Sequence, residues 1–173
     1  LSAETVRIIS QQREKLHHDD ASSRPLSKDY EYIGLLGEVR FSELYNLSID
    51  LTSKHKGDNG IDFYTPIGTI DVKTAQKPYH LLVEKGKVFA DIYVLAQFSM
   101  PDIINFIGWH YGEYISQQPT KYFGYNILNH YIHQSALYSM FVLLCSITPN
   151  TEISVRYAGG MMRYALVGYL ILD

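Results

Sequence analysis

The chain has 173 residues, with 15 Lys and Arg against 18 Asp and Glu and a formal net charge of -3. The length suits a single domain, and a content of 46% hydrophobic and 19% charged residues excludes a largely disordered or fibrous chain. A pI near 6.2 leaves no overall excess of basic residues for nucleic-acid binding, so any such binding needs a local basic patch.

The cysteine content and the lengths of the apolar runs exclude further classes of protein. A single cysteine, Cys145, excludes an internal disulfide framework and a zinc site built on cysteines. The longest apolar runs, residues 140–147 and 165–172, fall well short of the roughly 20 residues that a membrane-spanning helix needs. We therefore expect a soluble, intracellular and cytoplasmic protein with no membrane partner.

The N-terminal segment has the pattern of a helix followed by a linker. Apolar residues between Val6 and Leu16 recur on one face of a helix predicted over residues 2–16. The polar stretch that follows contains serine and proline and is typical of a linker. We expect residues 1–29 to form a helical arm and residues 30–173 to form the main domain.

A second helix is predicted from Tyr30 to about Leu47, where apolar residues recur at helical spacing. Gly34 and Gly37 lie inside this helix, and Glu38 follows the second glycine directly. Glycine inside a helix costs about 1 kcal/mol relative to alanine. The two glycines therefore predict close approach of another backbone or of a ligand.

A hairpin is predicted after the loop of residues 52–60, since apolar and polar residues alternate on both sides of a turn at 66–68. A two-residue turn places Asp62 opposite Asp71, whereas a three-residue loop with a bulge at Gly68 shifts the register by one. In the first register the pairs are Ile61 with Val72, Asp62 with Asp71, and Phe63 with Ile70.

The rest of the chain gives five further predicted elements. Residues 88–98 and 103–109 are rich in β-branched and aromatic residues and predict strands, the first of them central because it is apolar on both faces. Residues 113–118 predict a helical turn. Residues 125–144 have a mostly helical pattern, and residues 152–172 predict a hairpin.

The predicted hairpin brings chemically useful groups to one face. Opposed carboxylates on neighbouring strands have Cβ atoms about 5 Å apart, and two such charges about 4 Å apart repel by about 4 kcal/mol at an effective dielectric of 20. A proton or a cation between Asp62 and Asp71 relieves that repulsion, and hard oxygen ligands suit Mg2+ or Mn2+. Lys73, on the same face, would orient or activate water that attacks a phosphate held by the cation.

This hairpin resembles the active-site hairpin of the PD-(D/E)XK nuclease superfamily. Asp62 stands in the place of the first acid, residues 71–73 (Asp-Val-Lys) match the (D/E)XK element, and Glu38 matches the acid that many members carry on the preceding helix. Ile61 precedes the first acid where the family name has proline. The resemblance covers about residues 30–145.

The resemblance implies an α/β fold, a restriction-endonuclease-like αβββαβ core with a mixed central sheet, here with an N-terminal helical arm and a β-rich C-terminal tail. It implies an Mg2+-dependent DNA endonuclease, with Mn2+ able to substitute, in which Glu38, Asp62 and Asp71 bind the metal and Lys73 lies near the nucleophilic water. Family analogy adds a homodimer or higher homo-oligomer and a restriction-like or homing enzyme of a prokaryotic or phage-infected cell. The alternatives are a non-catalytic DNA-binding or assembly module with the same fold and, third, a nuclease acting on RNA.

Residues that flank the hairpin are candidates for substrate binding. Lys54, Lys56 and Lys77 would contact DNA phosphates, and exposed lysines without a function are the alternative interpretation. Gln76 occupies the place where some members carry a glutamine after the lysine, although strand parity puts it off the catalytic face.

Three further residues are of types that can bind a metal ion but are not predicted to belong to the site. His130 and His133, three residues apart on a predicted helix, would make half of a metal site, but no acid or cysteine lies at ligand spacing, and an ordinary surface pair is the preferred interpretation. Asp91 shares strand parity with Tyr93, which would direct it to the active-site side. It is not predicted to be a metal ligand.

Overall fold

The computed structural model describes residues 1–17, 29–51, 60–124, 126–147, 152–157 and 160–165. The helices are α1 (Ala3–His17), α2 (Tyr30–Tyr45), α3 (Gly112–Ser116) and α4 (Met140–Ile147). The strands are β1 (Phe63–Thr65), β2 (Gly68–Ala75), β3 (His80–Glu84), β4 (Ile92–Ser99), β5 (Ile103–Tyr111), β6 (Thr120–Tyr122), β7 (Leu128–His133), β8 (Glu152–Tyr157) and β9 (Gly160–Ala165). Within these ranges, none of the helices has the length and apolar character required to span a bilayer.

The main sheet has four strands in the order β1-β2-β4-β5. β2 and β4 are parallel, while β1 pairs with β2 and β4 with β5 in the antiparallel sense. The sheet is therefore mixed, and the predicted α/β class is confirmed. β4 is an inner strand buried on both faces from Ile92 to Ala96, as its continuous apolar sequence predicts.

A second sheet, with strand order β3-β7-β6, lies outside the predicted set of elements. β3 follows β2 in the chain but pairs with β7, and β4 then returns to the main sheet beside β2. The prediction that residues 125–144 are mostly helical is wrong for β7, which is a strand; a short 3-10 helix (Gln134–Ala136) follows it, and an α-helix begins only at Met140. His130 and His133 consequently lie on opposite faces of a strand rather than on one face of a helix.

α1 and α2 pack together on the main sheet. Ser2 caps α1 by accepting a hydrogen bond from the Thr5 backbone N–H at 3.1 Å, and Val6 is buried in a cluster with residues of α2. α2 ends at Tyr45, two residues before the predicted end, because Asn46 adopts a left-handed conformation with φ of 51°. Phe41 and Tyr45 bury the other part of α2 against β1 and β2.

The C-terminal part of the described chain is a hairpin, as predicted. β8 and β9 are antiparallel, and the pairs run from Glu152 opposite Ala165 to Tyr157 opposite Gly160. The predicted hairpin extends to residue 172, and residues 166–173 lie outside the described residues.

Gly37 sets how closely α2 lies against β2. A Cβ atom at Gly37 would overlap the Thr74 side chain on β2, with the Thr74 Cβ only 3.1 Å away. A Cβ at Gly34, one turn earlier, would meet nothing within 4 Å. Close approach is therefore found at Gly37 and not at Gly34, and the neighbour is the Thr74 side chain rather than the predicted backbone or ligand. This approach holds the neighbouring Glu38 beside β2.

We expect Gly37→Ala to destabilise the fold by about 1–3 kcal/mol, because α2 and β2 must move apart to admit the methyl group. Gly34→Ala is the matched control and should be neutral or stabilising by up to about 1 kcal/mol, since its methyl group enters open space in a helix interior. Urea unfolding followed by circular dichroism measures both variants. Adding Thr74→Ala to Gly37→Ala should restore part of the loss, and wild-type stability of Gly37→Ala alone would contradict this packing.

Candidate active site

A cleft of about 470 Å³ lies between α2, the segment that leads into β1, and strands β2 and β3. All of the residues predicted to be catalytic line this cleft, namely Glu38 from α2, Asp62 from the segment before β1, and Asp71 and Lys73 from β2. Residues separated by up to 35 positions in the sequence are thus brought to one place. The hairpin register and the contacts of each side chain explain how these four residues come together.

The hairpin register decides between the two predicted turns. β1 and β2 pair through Phe63 with Ile70 and Thr65 with Gly68, which is the register of the two-residue turn. Asp62 lies directly before β1, and its backbone N–H donates to the Ile70 carbonyl at 2.9 Å. The prediction that Asp62 and Asp71 occupy opposite positions on the hairpin is consistent with this register.

Asp91 holds the hairpin from the start of β4 and does not line the cleft. Its Oδ2 accepts hydrogen bonds from the backbone N–H and the hydroxyl of Thr69, both at 2.7 Å. These hydrogen bonds lower the pKa of Asp91. Gly68, with φ of 125°, leaves the space that Asp91 occupies, since a Cβ there would lie 2.8 Å from Asp91 Oδ2. The expectation that Asp91 points to the active-site side is therefore wrong.

The Asp62 carboxylate faces β2 and is held there. Its Oδ2 accepts a hydrogen bond from the Val72 backbone N–H at 2.6 Å. Burial, together with the nearby negative charges of Glu38 and Asp71, raises the pKa of Asp62 well above its usual range, against the smaller opposing effects of Val72 and Lys73. The acids of the cleft therefore destabilise one another's ionised forms.

Asp71 and Lys73 form an ion pair along β2, with Lys73 Nζ 2.5 Å from Asp71 Oδ2. The Asp71 side chain is 4% exposed and that of Lys73 is 40% exposed, so this pair differs from an ordinary surface salt bridge. Burial lowers the pKa of Lys73, but the carboxylates of Asp71 and Asp62 raise it by more, and the net shift is upward. The raised pKa favours the charged form of Lys73, which can donate hydrogen bonds.

The carboxylates of the cleft offer oxygen ligands for a metal ion. Among the described residues, no group of three or more His, Cys, Asp and Glu side chains is arranged to hold a metal by itself. Mg2+, however, usually binds through one or two carboxylates together with waters and phosphate oxygens of the substrate. The carboxylates of Asp62 and Asp71, with Glu38 close enough to perturb Asp62, fit that incomplete shell.

The residues predicted to bind substrate are less fully placed. Gln76 and Lys77 are exposed directly after β2, on the connection that leads to β3, and they do not line the cleft. Lys54 and Lys56 lie outside the described residues. Contact of these four residues with substrate stays a prediction.

The cleft also contains residues that the sequence does not predict as part of the site, among them His80 and Glu31. His80, the first residue of β3, closes one side of the cleft, and Glu31 lies on the face of α2 that also carries Glu38. The spacing of seven residues between Glu31 and Glu38 places them on one helix face, which is a readable signal. The alternation over residues 80–84 likewise predicts a strand, but only the second sheet places His80 beside the cleft.

Comparison of the chain with family models, with curated proteins and with solved structures finds no match. The fold class by itself does not select a function, because one fold supports many chemistries. A functional proposal for this chain therefore depends on the geometry and charge of the cleft.

Proposed function

We propose that the chain is a metal-dependent DNA endonuclease that hydrolyses phosphodiester bonds in this cleft, with a restriction-endonuclease-like core of the PD-(D/E)XK type. The observation that carries the proposal is the arrangement of Glu38, Asp62, Asp71 and Lys73 around one cleft. Mutual repulsion of the acids and the 2.5 Å Asp71–Lys73 pair support it. Carboxylates that can hold a divalent cation suit metal-assisted attack of water on a phosphodiester, and a charged lysine beside them can donate to the water or to a phosphate oxygen.

Each residue has a role that follows from its surroundings. Asp62 and Asp71 would hold Mg2+ or Mn2+, and Glu38 would add a ligand or hold a water molecule. When bound, the ion supplies Lewis-acid stabilisation of the phosphate charge and lowers the pKa of bound water. The Val72 N–H fixes the direction of the Asp62 carboxylate. Lys73, fixed by Asp71, donates to the attacking water or to a phosphate oxygen.

The proposed function also includes contacts with the DNA backbone and an oligomeric assembly. Lys54, Lys56, Lys77 and Gln76 would contact the DNA backbone, and the lysine contacts would make binding dependent on salt. By family analogy, small nucleases often use two sites to cut both strands of a duplex, which a homodimer or higher homo-oligomer supplies. We propose that the enzyme acts in the cytoplasm of a prokaryotic or phage-infected cell.

A second candidate is a non-catalytic DNA-binding module with the same fold. The favouring observation is that cleft acids already have partners within the protein, since Asp71 contacts Lys73 and Asp62 accepts from the Val72 N–H. In this case the cluster stabilises the hairpin and binds no metal. The two candidates differ in whether any nucleic acid is cut.

Incubation with supercoiled plasmid and with linear duplex, in Mg2+, in Mn2+ and in chelator, tests the proposal. We expect nicking or linearisation in either metal and none in chelator. DNA binding without cleavage of any DNA or RNA form, branched substrates included, would favour the binding module. Cleavage of RNA in preference to DNA would reassign the substrate.

A further inference from the structure

The second sheet presents two chemically different faces. Leu81, Val83 and Ile132 point inward and belong to a buried cluster with residues of β4. Because side chains alternate along a strand, His80 on β3 and its partners on β7 point the other way. We call this outer surface the ring face and define it by His80, Phe123, Tyr131, His133 and Lys121.

The rings of this face surround His80. The centroid of the His80 ring lies 5.3 Å from that of Phe123, 5.6 Å from that of Tyr131 and 5.4 Å from that of His133. The His80 ring meets those of Tyr131 and His133 edge to face, at 79° and 81°, and is tilted at 51° to that of Phe123. His133 is exposed and the other three rings are partly exposed, which leaves an aromatic surface open to solvent.

The ring face is continuous with the cleft. His80 and Leu82, neighbours on the outer side of β3, line the cleft together with Asp71 and Lys73. A nucleic-acid strand whose phosphate occupies the cleft and that leaves it on the β3 side would pass over His80. The ring face thus has the position of a subsite for nucleotides next to the bond that is cut.

The charge of the ring face suits a polyanion that carries flat bases. The Lys121 ammonium lies 5.8 Å from the Phe123 ring centroid, and Glu84 on the same face is paired with Lys87 at 3.0 Å. Burial and the nearby His133 and Lys121 lower the pKa of His80. Exposed aromatic rings beside a cation are typical of surfaces that stack nucleobases.

We propose that the ring face binds unpaired nucleotides beside the scissile phosphate, so that the substrate is single-stranded DNA or a duplex with an unpaired flap or branch. The reason is that a continuous duplex hides the faces of its bases within the stack, where protein rings do not reach them. This proposal rests on the nuclease function proposed above and narrows its substrate.

Binding is tested without cleavage, by fluorescence anisotropy in chelator with a labelled oligothymidylate about 20 nucleotides long and a duplex of the same length. We expect His80→Ala and Phe123→Ala each to weaken oligothymidylate binding about fivefold or more. Duplex binding should change by less than about twofold. Tyr122→Ala is the matched control, because Tyr122 is 54% exposed and neighbours Phe123 but lies on the opposite face of β6.

Absence of oligothymidylate binding by the wild type, or an equal loss in Tyr122→Ala, would overturn the proposal. A second measurement needs no variant: an oligothymidylate with one 5-iododeoxyuridine is photocrosslinked to the wild type, and the crosslinked peptides are mapped. Crosslinks at His80 or between residues 121 and 133 support the ring face, and crosslinks only elsewhere contradict it. Binding at the ring face without cleavage would contradict the proposed nuclease function but support the nucleotide-binding site. Cleavage without binding at the ring face would support the nuclease function and contradict the nucleotide-binding site.

Discussion

Lys73→Ala is expected to slow DNA cleavage at least about 100-fold, the usual effect of removing one preorganised donor from a reacting phosphate or oxyanion. Lys73 lines the cleft, and its charge is held in place by the buried Asp71 carboxylate at 2.5 Å. The measurement is the single-turnover rate on a labelled DNA substrate in Mg2+. Lys85→Ala is the matched control, because it removes the same charge from an exposed position after β3 and should leave the rate unchanged.

Loss of Lys73 also removes the ion pair to the buried Asp71 carboxylate, so Lys73→Ala is expected to lower the stability of the fold as well. The double variant Asp71→Asn with Lys73→Gln replaces the two charges with a pair of amides that can form a hydrogen bond. It separates a loss of activity caused by removal of the charges from one caused by unfolding. We expect this variant to melt as a folded protein and to be inactive. Wild-type rates in folded Lys73→Ala would remove Lys73 from the mechanism.

Asp62→Asn is expected to abolish cleavage and, in chelator, to make the protein more stable by about 0.5–2 kcal/mol, as found where an active site trades stability for function. The amide oxygen of asparagine can still accept the Val72 hydrogen bond, while the repulsion from Glu38 and Asp71 disappears. Urea unfolding in chelator measures the difference.

The pH dependence of this difference has a defined sign. The pKa of Asp62 is raised in the folded protein, so the folded state binds more protons than the unfolded state between the two pKa values. The wild type therefore loses stability relative to Asp62→Asn as pH rises through that interval, and the variant's advantage is small near about pH 4 and full above the raised pKa.

Asp91→Asn is the matched control for a carboxylate outside the cleft. Its pKa is lowered by Thr69, so its charge stabilises the fold at neutral pH and its removal should destabilise. Mg2+ should stabilise the wild type and Asp91→Asn, by about 2.7 kcal/mol at 100 times Kd, and should stabilise Asp62→Asn far less. A less stable Asp62→Asn at high pH, or equal Mg2+ stabilisation of all three proteins, would contradict the charge conflict in the cleft.

The sequence alone predicts the elements whose patterns are local. Alternation around the turn predicts the β1–β2 hairpin but leaves two registers open, and the structure selects the one in which Phe63 and Ile70 pair and are buried in the core. Continuous apolarity likewise predicts a central β4, and helical spacing predicts α2 with Glu38 on it. Those elements are enough to bring Glu38, Asp62, Asp71 and Lys73 into one list of candidates.

The second sheet could not be predicted in the same way. Leu128 and Ile132 are four residues apart, which suits a helix as well as a strand, and pairing with β3 some 50 residues earlier decides between the two. The position of His80 beside the cleft depends on that long-range pairing. Local patterns also do not reveal that Asp91 turns to the hairpin, since the Thr69 hydrogen bonds form only when β4 lies beside β2.

The central claim is that the acid cleft hydrolyses DNA with a divalent metal. Its most direct test is the nicking of supercoiled plasmid by wild type and Asp71→Ala, purified in parallel, in Mg2+ and in chelator, with folding of both checked by circular dichroism. We expect nicking by the wild type only, in Mg2+ only. Nicking by folded Asp71→Ala would place the activity outside this cleft, and nicking in chelator would show that it needs no divalent metal; either result would contradict the proposed function.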